Sequence, residues 1–93
     1  MQKRIGITTI LLLFLLAATA QKKLSYIEVD KKTYELYQQQ KWTELIEFSA
    51  KVHQQGMDFF YLHARTGIAY YNLKKYRTAS DYFLKAWKSD QSF

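Results

Sequence analysis

The chain has 93 residues, no cysteine, no proline and a formal net charge of +6. The missing cysteines exclude thiol catalysis, zinc–thiolate sites, disulfide support and lipid attachment at a cysteine behind a cleaved leader. The basic excess is scattered over the pairs Lys22-Lys23, Lys31-Lys32 and Lys74-Lys75. Nucleic-acid binding usually needs a denser stripe, so these pairs read as solvated surface.

Residues 1–20 have the three parts of a secretory leader. Lys3 and Arg4 supply a short basic start, residues 5–18 are almost wholly apolar around a leucine-rich run at 10–16, and Ala18-Thr19-Ala20 ends the segment on small residues. The competing reading is an uncleaved anchor. Positions 5–20 number only 16, short of the roughly 20 that span a bilayer core, and the small-residue end favours cleavage after Ala20. Without Lys3 and Arg4, the chain from Gln21 to Phe93 carries 12 basic and 8 acidic side chains, a net charge of +4. The leader points to export, either to a periplasm or out of the cell, including an envelope-associated location, with membrane contact only during passage. A bacterial periplasm fits its short start and leucine-rich core best, although the sequence does not separate bacterial from eukaryotic export.

A short segment over 21–27 then leads into what is expected to be an all-helical domain over 28–93. Few breaks and no strand-like alternation predict helices over 28–40, 43–55, 58–73 and 77–89. Thr43 and Asp58 are the expected N-caps of the second and third helices. Gly56 suits the end of the second, because glycine enters the left-handed conformation without steric penalty.

The second pair of helices overlays the first at one constant offset without a gap. Lys41-Trp42 falls on Lys75-Tyr76, Leu36-Tyr37 on Tyr70-Tyr71, Phe48 on Tyr82 and Val52 on Ala86. The competing reading is a four-helix bundle whose spacing merely coincides. A helix–turn–helix unit that recurs at this interval, about 34 residues, is a solenoid signature. The unit 60–93 resembles the tetratricopeptide repeat family at Gly67, Tyr70, Ala79, Phe83 and Ala86, which occupy that family's signature positions. His63, Thr66 and Gln91 depart from it. A glycine inside a helix costs about 1 kcal/mol against alanine, so Gly67 is expected where two helices cross closely. The unit 26–59 is degenerate: Thr33 keeps a small residue opposite Gly67, whereas Leu45 and Ser49 replace the family's alanine and aromatic.

The resemblance implies a short α-solenoid of antiparallel helix pairs acting as a protein–protein interaction scaffold or adaptor. In that family the first helix of each unit lines a concave groove. Carried over by position, the groove residues are Ile27, Asp30, Tyr34, Tyr37 and Gln38 in the first unit and Tyr61, Ala64, Ile68, Tyr71 and Asn72 in the second. Tyrosines combine a flat apolar face with a hydroxyl at low rotamer cost. They are the expected anchors for a peptide or partner helix, with Gln38 and Asn72 bonding to its backbone. Some of these tyrosines are equally read as packing between helices. The lysine and arginine clamp of carboxylate-binding members is missing.

No catalytic residues, metal ligands or cofactors are expected. His53 and His63 lack the spacing that sets two ligands on one helix face, the carboxylates are dispersed, and no phosphate loop or nucleophile elbow occurs. The last helix, finally, carries Tyr82, Phe83, Leu84, Ala86 and Trp87 with no further unit after it. Arrays of this kind need neighbours to cover such a face. Leu84 and Trp87 are therefore expected to form an open end. A longer parent protein whose activity lies downstream, self-association through the C-terminal helix, or a partner-supplied helix would each cover it, and the first is favoured. An uncleaved leader would instead give a small membrane-tethered helical protein.

Overall fold

The computed structural model describes residues 23–89. The leader expected over 1–20, and Gln91, lie outside the described residues. Within them the protein is all-helical, with no strand. Four helices of 13 residues each follow in order: α1 (Tyr26–Gln38), α2 (Trp42–Gln54), α3 (Phe60–Asn72) and α4 (Tyr76–Lys88). The bounds of α3 and α4 all fall at the same offset from their counterparts in α1 and α2, Phe60 on Tyr26 and Lys88 on Gln54.

The helix ends differ from the expected ones by one or two positions, for local chemical reasons. α1 begins at Tyr26, ahead of the expected 28, because Ser25 and Glu28 form a capping box. The Ser25 hydroxyl accepts from the Glu28 N–H at 3.2 Å, and the Glu28 carboxylate accepts from the Ser25 N–H at 3.4 Å. Leu24, just before the cap, packs against the cluster that holds Val29 and staples the entering chain. Thr43 is not a cap: α2 starts at Trp42 with Lys41 as its N-cap. Asp58 is not one either. Phe59 is the N-cap of α3 and makes no side-chain cap bond, while the Asp58 carboxylate is spent on the His63 ring.

Three helix ends share one closing motif. Gln40 and Lys41 donate to Tyr37 and Leu36 carbonyls, Gly56 and Met57 to those of His53 and Val52, and Lys74 and Lys75 to those of Tyr71 and Tyr70. These are paired reverse bonds of the Schellman type, and each puts one residue in the left-handed region. Gly56 is there at φ +83°, as its chemistry allows, but Gln40 and Lys74 are there too, at φ 55° and 64°. Gln40 and Lys74 are equivalent positions of the two units, and the short turns they make fold each helix pair into a hairpin.

The core lies where α3 closes over the first hairpin. Val29, Val52, Met57, Phe59 and Leu62 form one buried cluster, and Leu36, Leu45 and Ala69 a second, with Phe48 packed against both. Burying an aliphatic or phenyl side chain of this size stabilises by about 1.5–3 kcal/mol. Between the clusters the buried Thr66 and Ser49 hydroxyls are hydrogen-bonded at 2.7 Å, and Thr66 also reaches the Leu62 carbonyl at 2.6 Å. Thr66 has one hydroxyl proton, so with that proton on the carbonyl Ser49 donates the other bond and both groups are satisfied. α1, α2 and α3 pack mutually, whereas α4 packs on α3 alone among the described helices. Gly67 lies at that contact, directly beneath the Phe83 ring.

Candidate functional site

α1 and α3 are first helices of their hairpins and lie side by side. Their aromatic residues divide into two neighbouring groups. At the C-terminal ends, Tyr37, Gln38, Gln40, Trp42, Ile68 and Asn72 line a cavity of about 390 Å³. Tyr37 stands edge-on to Trp42 at 6.1 Å and is stacked with Tyr34 at 6.5 Å, so its ring is braced from two sides. No side chain lining this cavity carries a formal charge. Aromatic faces and primary amides are what it offers a ligand.

The amides are partly committed within the chain. Gln38 donates to the Tyr34 hydroxyl at 3.0 Å, and Asn72 to the Ile68 carbonyl at 2.8 Å. Each amide nitrogen carries a second proton and each amide a carbonyl oxygen. These bonds fix the orientation of both amides and leave them capable of bonding to a peptide backbone.

Nearer the N-terminal ends, Tyr34 and Tyr61 flank one cation. The Arg65 guanidinium lies 5.2 Å from the Tyr34 ring centre and 5.0 Å from that of Tyr61. Its Nη1 donates to the Asp30 carboxylate, to the Asp30 carbonyl at 3.0 Å and to the Thr33 hydroxyl at 3.1 Å. Arg65 therefore clamps α3 to α1 and sets the floor of the aromatic surface. Its side chain is only 14% exposed. Of the expected groove positions, Asp30 is thus taken up by an internal ion pair. Ile27 is exposed, and Tyr71 stands apart from the cavity, edge-on to Tyr76 at 5.2 Å.

Arg65, Trp42 and Gln40 are not among the residues expected from sequence. Arg65 has a legible signal: it is the one formally charged residue of α3, in a helix otherwise apolar or neutral. Trp42 and Gln40 have none, because the turn that brings them beside Ile68 is set by the left-handed conformation of Gln40.

A second cavity of about 260 Å³ lies at the other end, lined by His53, Asp58, His63, Lys85, Lys88 and Ser89. His63 is buried. Its Nε2 meets the Asp58 carboxylate, and its Nδ1 has no hydrogen-bond partner. Tyr70 stacks on Tyr82 at 5.3 Å, and the Lys85 ammonium sits 4.3 Å over the Tyr82 ring. Burial and the neighbouring Tyr82 hydroxyl push the Tyr70 phenol above its ordinary range, with Lys85 acting in the opposite sense. Among the described residues no group of three histidine, cysteine or carboxylate side chains is placed to hold a metal ion.

The described chain is thus a small all-α protein made of two helical hairpins in one constant register, with an aromatic cavity on the first helices. Comparison with protein-family models, with characterised proteins and with solved structures gives no match.

Proposed function

We propose that the chain is an exported interaction scaffold of the tetratricopeptide type, which holds a peptide or partner helix in the groove between α1 and α3. The observation that carries the reading is the convergence of Tyr37, Gln38, Ile68 and Asn72, from two helices and both repeat units, on one cavity. Rigid tyrosines supply contact area at low entropic cost, and oriented amides supply backbone hydrogen bonds. Because the lining is uncharged, affinity should depend little on salt. The leader-like pattern of residues 1–20 supports export.

The test is capture of partners by the full-length chain and by a Tyr37→Ala, Asn72→Ala variant. The variant should lose the captured proteins while its helical circular dichroism is unchanged, and unchanged capture excludes the groove. N-terminal sequencing of the exported form should begin at Gln21. A second reading rests on the exposed Phe83, Leu84 and Trp87: a helical module positioning the activity of a larger envelope protein. An immunoblot of source cells with a band well above 11.1 kDa would favour it.

A further inference from the structure

The end of the second hairpin has a counterpart elsewhere in the chain whose covering is visible. At the end of the first hairpin, Leu62 of α3 packs with Val29 and Val52, Ala69 packs with Leu36 and Leu45, and Thr66 is bonded to Ser49. Carried on by one repeat unit, the same positions hold His63 and Ala86, Tyr70 and Ala79, and Phe83; His63, Ala79 and Ala86 are already buried, and what remains exposed is Phe83. No described element lies on that exposed part. Phe83 is 40% exposed, and Leu84 and Trp87, at 52% and 74%, widen the face where the first hairpin has Ala50 and His53. An apolar patch of this kind marks an interaction surface.

Charge and register decide what fits there. From Lys74 to Lys88 the chain carries Lys74, Lys75, Arg77, Lys85 and Lys88 against Asp81 alone. A second copy docked face to face would set Lys85 and Lys88, which flank Trp87 in sequence, against their own copies. A second copy docked head to tail would present α1, and at the positions of Leu62, Thr66 and Ala69 α1 has Glu28, Lys32 and Glu35. Burying those charges against Phe83, Leu84 and Trp87 is costly. The 260 Å³ cavity adds direction. It surrounds His63, the counterpart of Val29, which in the first hairpin is covered by the leading residues Met57, Phe59 and Leu62. Lys85 and Lys88 line it, and its one carboxylate, Asp58, is paired with His63.

We infer that the open face of α4 binds an acidic amphipathic helix of a partner protein. Its apolar stripe covers Phe83, Leu84 and Trp87, and its acidic first turn lies at the cavity beside Lys85 and Lys88. This surface is separate from the groove of α1 and α3, so the two proposals stand or fall independently.

The probe is a fluorescent, helix-stapled peptide with Phe and Leu along one helical face and glutamates at the flanking positions, titrated into the full-length chain. Saturable binding is expected, weakened about tenfold, or about 1.4 kcal/mol, when the peptide glutamates become lysines. Trp87→Ser should weaken it as well, and Lys85→Glu with Lys88→Glu should reverse the charge preference. The peptide swap on the unaltered chain keeps the test valid if the double variant fails to fold. Equal affinity for acidic and basic peptides, or no binding up to about millimolar peptide, overturns the inference. So does light scattering that shows a dimer abolished by Trp87→Ser, since a second copy would then occupy the face.

Discussion

The ring of Phe83 lies so close over Gly67 that a Cβ at that glycine would come within 2.6 Å of its Cε1 and 2.7 Å of its Cδ1. This pair sets the approach of α4 to α3, which among the described helices is the one that holds α4 in place. Gly67→Ala should therefore forfeit the gain of about 1 kcal/mol that alanine brings to a helix interior. In a Phe83→Ala background the same substitution should recover that gain. Urea unfolding of the four proteins of the cycle should give a coupling of about 1–2 kcal/mol, and additive effects would mean the ring gives way freely.

The left-handed residues give a second set of expectations. A side chain in that region costs about 1–2 kcal/mol, and a glycine there recovers part of it after the entropy of its unfolded state is counted. Gln40→Gly and Lys74→Gly should each stabilise by about 0.5–1 kcal/mol. Gly56→Ala should destabilise by about 1 kcal/mol, although nothing lies within 4 Å of the added methyl. Thermal and urea unfolding of the three variants check the signs.

Arg65 joins α3 to α1 through the Tyr34 face and the Asp30 pair, and also lies over Tyr61 of its own helix. Its removal costs the ring contacts and the charged hydrogen bonds, about 2 kcal/mol in total given the partial exposure of Asp30. Arg65→Lys keeps the charge without the planar fork and should recover less than half of this loss. Tyr34 and Tyr61 should respond too: near-ultraviolet circular dichroism should change in Arg65→Ala while the far-ultraviolet helical signal persists. Identical near-ultraviolet spectra would show that the cation does not order the rings.

Alkaline pH tests the Tyr70–Tyr82 stack. A phenol whose folded pKa is raised keeps its proton longer in the native state. Its contribution to stability is complete below the unfolded value and is lost as pH rises through the folded one. Unfolding free energy should then fall as pH climbs above ~10, and Tyr70→Phe should flatten that fall. A Tyr70→Phe profile that superimposes on the parent would remove Tyr70 as the cause.

Much of the helical layout is legible in the sequence because it depends on local patterning. Absence of proline, few glycines and the constant offset between the two halves lead to four helices, and that offset reappears in every helix bound. Gly56 is readable as a helix end because its left-handed backbone is a property of the residue itself. The caps are harder. Ser25 and Glu28 have the spacing of a capping box, yet helical patterning alone starts the first helix later, at 28. Asp58 has the chemistry of an N-cap and instead serves His63, five positions along, a choice set by the burial of the imidazole.

The aromatic surface of α1 and α3 divides in the same way. Helical period and side-chain chemistry are enough to turn tyrosines and amides outward on the first helix of each hairpin, and both are written in the sequence. Tertiary packing is what makes Tyr37, Gln38, Ile68 and Asn72 share one cavity, leaves Tyr71 apart against Tyr76, and closes Tyr34 and Tyr61 on Arg65. The reason is physical. Which side chains meet across α1 and α3 depends on how Leu62 and Ala69 seat that helix over the first hairpin. That seating is a joint solution of Val29, Val52 and Leu62 on one side and Leu36, Leu45 and Ala69 on the other. Those residues are far apart along the chain, and no local pattern encodes their meeting.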